Sequence, residues 1–125
     1  MKASLLIVDD NDQMRQLIRG LVADLAEQIY EGRDGSEAVV LYTEHQPDWV
    51  LMDIKMEGMD GLTATRRILA SFPEAKIVIL TNYNDAKTRQ TARQAGACEF
   101  LAKDNLLEVR RILVAERRQL DGAGP

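Results

Sequence analysis

Leu5-Leu6-Ile7-Val8-Asp9-Asp10 is the stretch that decides the fold of this 125-residue chain. Four apolar residues followed by a carboxylate pair describe a short strand, buried on both faces, that ends at a polar edge. Two further runs end in the same way: Trp49-Val50-Leu51-Met52 at Asp53, and Phe100-Leu101-Ala102 at Lys103. As neighbouring parallel strands they would gather three acids and one amine at the carboxyl edge of one sheet, where open α/β folds bind ligands. Such a set of charges suits a divalent cation and a phosphoryl group.

Outward from these runs, apolar stretches alternate five times with helical patterns, which predicts five βα units and a parallel sheet covered on both faces. After the first strand (Ser4 to Val8), Met14, Leu17, Ile18, Leu21, Val22 and Leu25 recur at the spacing of one buried helix face. A short second strand is expected around Gln28 to Glu31, then a turn at Asp34-Gly35 with Ser36 as N-cap of a helix closed by Pro47. Asp60-Gly61 opens a third helix, with Leu62, Ile68, Leu69 and Phe72 inward and Pro73 at its end. Ile77 to Leu80 reads as strand four. The helix from Asp85 to Ala95 has only Ala86, Ala92 and Ala95 to bury, so it is expected to be the most loosely seated. Cys98 to Ala102 reads as strand five, and Leu106, Val109, Ile112 and Leu113 as the apolar face of the last helix.

Length bounds the chain to one domain, expected over residues 1–119, with 120–125 as a flexible tail or the start of a linker. Hydrophobic residues at 46% and charged residues at 29% exclude a disordered or fibrous protein. No apolar stretch approaches the ~20 residues of a membrane span, and no signal-peptide pattern opens the chain, so a cytoplasmic location without membrane contact is expected. One Cys and one His supply neither a disulfide nor a zinc cluster, which leaves oxygen ligands for any metal. Residues 1–62 carry 13 acids against 5 bases, and residues 63–125 carry 7 against 11. The acidic half holds the proposed site. The bases of the other half are scattered along helices, a solvated surface more than a nucleic-acid footprint, so direct nucleic-acid binding is not expected.

Two adjacent carboxylates repel unless a cation joins them. Mg2+ (or Mn2+) is the expected cofactor, since Mg2+ takes hard oxygen ligands and often combines one or two carboxylates with phosphate oxygens. Asp10 and Asp53 are read as direct ligands, Asp9 as a ligand through a water, and the backbone carbonyl of Lys55 as a further donor. Each Asp alone reads equally well as a helix N-cap; the set of four charges does not. Asp53 is also read as a nucleophile that forms an aspartyl phosphate. Lys103 would neutralise charge on the transferring group, and the Thr81 hydroxyl would bond one of its oxygens.

With Leu6-Ile7-Val8-Asp9-Asp10-Asn11, Asp53-Ile54-Lys55-Met56 leading to Gly58-Met59-Asp60-Gly61, Leu80-Thr81, Gly96-Ala97 and Phe100-Leu101-Ala102-Lys103, the chain resembles the receiver domain of two-component response regulators. The resemblance implies a flavodoxin-like doubly wound (βα)5 fold with a five-stranded parallel sheet in the order 2-1-3-4-5. It implies Asp53 as phosphoacceptor, Asp9 and Asp10 as acidic pocket, Thr81 and Phe100 as switch residues, and Lys103 as the site lysine. A sensor histidine kinase or phosphotransfer protein would be the donor. An output protein or domain would dock on helix 4, strand 5 and helix 5, where Lys87, Arg89, Arg93, Arg110 and Arg111 form a basic patch, and a homodimer is a state available on phosphorylation. The protein would be a switch that catalyses its own phosphorylation and dephosphorylation, not a metabolic enzyme.

Glu57 stands where the family commonly has proline, which predicts a more mobile loop, and Asn82 stands where a small residue is usual, which predicts slower phosphotransfer. Asp104 replaces another common proline, and Lys103-Asp104-Asn105-Leu106 offers a helix N-cap instead, as in receivers of the nitrate-response and quorum-sensing subclass. Lys55 and Tyr83 occupy the positions that border the path of an attacking water, so they are expected to gate phosphate loss. Two other readings stand beside this one. Glu57 and Asn82 motivate a receiver-like scaffold that is not phosphorylated, and Asp10-Asn11-Asp12 partly matches a haloacid-dehalogenase-like phosphatase using Asp10.

Overall fold

The computed structural model describes residues 3–82 and 85–122, of which 116–122 as backbone only. Five strands, β1 (Ala3–Val8), β2 (Ala26–Gly32), β3 (Trp49–Asp53), β4 (Ile77–Thr81) and β5 (Glu99–Ala102), alternate with α1 (Asp12–Val22), α2 (Gly35–His45), α3 (Gly61–Ser71), α4 (Ala86–Ala95) and α5 (Leu107–Gly122). All strand pairs are parallel and the sheet order is β2-β1-β3-β4-β5, as the resemblance implied.

Successive side chains of a strand point to opposite faces, so the uninterrupted apolar runs feed two cores. Leu6, Val8, Val50, Met52, Ile77 and Ile79 face α2, α3 and α4, whereas Leu5, Ile7, Trp49, Leu51, Val78 and Leu80 face α1 and α5. Every residue of β3 and β4 is buried. The chain reverses its winding direction between β1 and β3, which opens a crevice at their carboxyl ends. Register then sets the neighbours there: Val8 lies beside Met52, Asp53 beside Leu80, and Thr81 beside Ala102. Asp9, Asp53, Thr81 and Lys103 thus leave adjacent strands at nearly one level.

Several local readings change. Leu17 is 52% exposed, because it falls outside the α1 stripe that buries Ile18 and Val22. Asp34, not Ser36, caps α2, accepting the Glu37 N–H at 2.9 Å; with two capping side chains so close, backbone geometry chooses. β2 is longer than the apolar signal suggested, since Ala26 pairs with Ala3 across a register shift that skips exposed Glu27, and Gly32 pairs with Val8 at the other end. Ala86 is exposed, so α4 buries only Ala92 and Ala95. Cys98 precedes β5, and Lys103–Asn105 form one 3-10 turn without a side-chain cap.

Candidate functional site

The loop from β3 to α3 is held by backbone, with Glu57 exposed where a proline ring would have fixed φ. Gly61 N–H donates to Ile54 O at 2.8 Å, and Gly35 N–H donates to Met59 O at 2.9 Å. A Cβ at Gly61 would stand 1.8 Å from the carbonyl oxygen of Asp53, so only glycine lets α3 begin this close to the end of β3. Asp60 caps α3 by accepting the Thr63 N–H at 2.8 Å.

The four charged residues predicted to converge do so. Lys103 Nζ, on a side chain 8% exposed, lies 2.8 Å from Asp9 Oδ2 and 3.2 Å from Asp53 Oδ1. Asp9 Oδ1 accepts the Asn11 N–H at 2.9 Å, and Asp53 Oδ1 accepts the Ile54 N–H at 2.9 Å. Burial, and next the charge of Asp9, push the Asp53 carboxyl up to about 6 against the pull of Lys103 and the Ile54 N–H. For Lys103, burial works against the charge, but Asp9 and Asp53 outweigh it and the ammonium is held above its ordinary range.

Asp9, Asp10 and Asp53 each offer a carboxylate oxygen within 4.8 Å of the others, with Asp10 exposed and the other two buried. In an octahedral Mg2+ shell, oxygens lie roughly 3 to 4 Å apart, so small side-chain adjustments would serve. Asp9 Oδ2 is also fully enclosed, with the Lys103 ammonium 2.8 Å away as its partner. Three hard oxygen donors and a local excess of two negative charges fit a divalent cation.

Thr81 is buried at the end of β4, and Lys55 is exposed on the loop leaving β3. Phe100 is half-buried in the core under α4, with the Arg89 guanidinium 5.1 Å from the ring centre. Beside it a small cleft of about 100 Å3 is lined by Arg89, Arg93, Ala97, Cys98, Glu99 and Phe100. Asn82 is exposed, and Tyr83 lies outside the described residues. Arg110 does not join the basic patch. It turns to the other side of α5, donating at 2.6 Å to both Leu21 O and Asp24 Oδ1, because the carbonyl end of α1 attracts a cation. Sequence reasoning missed Arg15, buried at 9% exposure next to the Asp9 backbone. Its signal was a charge standing within the apolar stripe of α1.

The family profile of the response regulator receiver domain matches residues 5–113. The chain belongs to this receiver family. Among relatives of this receiver domain, the transcriptional regulatory protein LiaR of Bacillus subtilis is 41% identical, over 78% of this chain and 47% of that protein. The chemotaxis protein CheY of Bacillus subtilis is 37% identical over 97% of this chain and 100% of its own length. The chain therefore spans about half of LiaR and all of CheY. A LuxR-family response regulator from Aurantimonas superposes with a TM-score of 0.83 at 30% identity, covering 92% of this receiver domain and 87% of that chain. CheY of Borrelia burgdorferi, solved as a CheX-CheY-BeF3-Mg2+ complex, superposes with a TM-score of 0.75 at 27% identity, covering 84% of each chain. Receiver domains are signalling modules of two-component systems, and no helix among the described residues here is long and apolar enough to cross a membrane.

Proposed function

We propose that this receiver domain is a phosphoacceptor switch in which Asp53 takes a phosphoryl group from a phosphohistidine of a sensor histidine kinase or phosphotransfer protein. The observation that carries the reading is Asp53 itself: a buried carboxylate, 3.2 Å from a buried ammonium, with two further carboxylates close by. A carboxylate oxygen of Asp53 attacks phosphorus, the P–N bond to the histidine breaks, and a mixed anhydride forms on Asp53. With its pKa at about 6, Asp53 is mostly ionised at pH 7.5 and ready to attack. Lys103 neutralises charge on the transferring group and holds it in line, and the Thr81 hydroxyl takes one of its oxygens.

Asp10 and Asp53 would hold Mg2+ (or Mn2+) directly, with Asp9 acting through a water and the Lys55 carbonyl adding a donor. When bound, the cation supplies charge neutralisation of the phosphoryl oxygens. The complex of the Borrelia CheY with BeF3 and Mg2+ supports the assignment. The new group carries about −1.5 to −2 charges. It would draw Thr81 inward and let Phe100 and the lightly seated α4 readjust, and the output partner then reads the surface of α4, β5 and α5. Against a scaffold unable to accept phosphate stand the charged groups gathered at the pocket; Glu57 and Asn82, which motivated that reading, are both exposed.

Incubation with acetyl phosphate and Mg2+, followed by intact mass measurement, is expected to show one added phosphoryl group. It should be absent in EDTA and removed by hydroxylamine, as an acyl phosphate requires. Uptake that ignores EDTA would overturn the reading. Lys55 and Tyr83 are proposed to shield the acyl phosphate from water, so Lys55→Ala and Tyr83→Ala should lose phosphate faster than wild type; equal decay curves would refute the shielding.

A further inference from the structure

We propose that Arg15 is a positioning residue for the metal pocket, holding the corner between β1 and α1 so that Asp9 and Asp10 stand ready for a divalent cation. Its Nη1 donates to the carbonyl oxygen of Asp9 at 2.6 Å. Its Nε donates to Glu31 Oε1 at 3.2 Å, and its Nη2 donates to Asp12 Oδ1. Glu31 is itself held from the other side by Arg19 Nη1 at 2.8 Å. In this way one buried guanidinium ties the strand end carrying the carboxylate pair to the edge strand β2 and to the first turn of α1. Asp9 is fastened to β2 a second time by its N–H, which donates to Gly32 O at 3.1 Å.

A buried Arg needs partners for its fixed fork of donors, and here the backbone of a pocket residue is one of them. The side chain is 11% exposed, against 75% for Asp12 and 33% for Glu31, so the contacts to Asp9 and Glu31 are the enclosed ones. Two cations, Arg15 and Arg19, face two acids, Asp12 and Glu31, so the cluster adds little net field to the pocket. That balance makes the sign of a mutation informative. Deleting Arg15 leaves the cluster with an extra negative charge, which by Coulomb attraction alone would tighten cation binding. Loss of positioning weakens it.

The inference rests on the metal reading above, and calorimetric titration of Mg2+ separates the two. Arg15→Ala is expected to raise the Mg2+ Kd about tenfold, the size typical for losing an outer-shell partner. Arg15→Lys, which keeps the charge but reaches fewer partners, should fall between wild type and Arg15→Ala. Glu31→Gln should shift the Kd less than Arg15→Ala, because the contact to Asp9 remains. Leu113→Ala, in the core under α5, should lower the thermal midpoint and leave the Kd unchanged. A Kd for Arg15→Ala that is unchanged or lower would overturn the proposal. So would a matching rise in Leu113→Ala, which would make the effect one of general stability. Should Arg15→Ala fail to fold, wild-type Kd values in both Arg15→Lys and Glu31→Gln would overturn it equally. Absence of Mg2+ binding in wild type would instead remove the metal reading itself.

Discussion

Asp53→Asn is expected to reduce phosphoryl uptake from acetyl phosphate to background and, in the same protein, to raise stability in EDTA at pH 7.5 by about 1–3 kcal/mol. The first effect follows from removing the nucleophile. The second follows from the cost of the ionised carboxyl, whose folded pKa of about 6 lies above the ordinary 3.8. The sign is opposite to the usual Asp case. Between roughly pH 4 and 6 the folded state binds more protons than the unfolded state, so wild-type stability falls as pH rises through that window. Above it the full penalty is present, and the neutral amide avoids it. The advantage of Asn should therefore shrink as pH falls through 6 and be gone near pH 4. Urea denaturation across pH 4–8 in EDTA measures it, and a variant equal to or less stable than wild type at pH 7.5 would show that Asp53 is not strained. Added Mg2+ should narrow the gap, because the cation favours the ionised carboxylate.

Lys103→Ala should do the reverse to stability while also suppressing phosphoryl transfer. The ammonium lies within 3.2 Å of two buried carboxylates, and removing one partner from such a cluster costs about 3–5 kcal/mol. Wild-type Lys103 has its pKa raised in the fold, so its contribution is fully present below the unfolded value and is lost as pH climbs through the folded one. At neutral pH the whole of it is at stake. Without the ammonium, Asp53 loses the influence that lowers its pKa and takes up a proton more readily. The deficit against wild type should accordingly shrink as pH falls from 7 toward 4, and adding Mg2+ should recover part of it. A thermal midpoint within experimental error of wild type in EDTA at pH 7 would mean the amine is not compensating the acids. Phosphoryl transfer should remain depressed even at saturating Mg2+, since a cation on the carboxylates does not replace the ammonium beside the transferring group.

The strand runs were legible because burial on both faces demands uninterrupted apolar residues, and the boundaries of α3 and α4 were legible because Asp60-Gly61, Pro73 and Gly96 leave the backbone few choices. The cap of α2 was ambiguous: Asp34 and Ser36 offer the same chemistry two residues apart. The basic patch lost Arg110 for a reason no single-helix pattern contains, the nearness of the carbonyl end of α1. Leu17 and Arg15 show one effect from two sides, an apolar residue outside the buried stripe and a charged one within it.

By itself the sequence determined the alternation of strand and helix, the identity of the charged groups at three strand ends, and the likeness to receiver domains. Those properties depend on local periodicity and on residue chemistry, which travel with the chain. Only the tertiary structure decided which groups touch: that Lys103 stands between Asp9 and Asp53, that Asp9 Oδ2 is fully enclosed, and that Arg15 grips the Asp9 carbonyl. Contacts and burial arise from strand order and register across residues far apart in the chain, and those distances shift the carboxyl of Asp53 in a way no neighbour in sequence could.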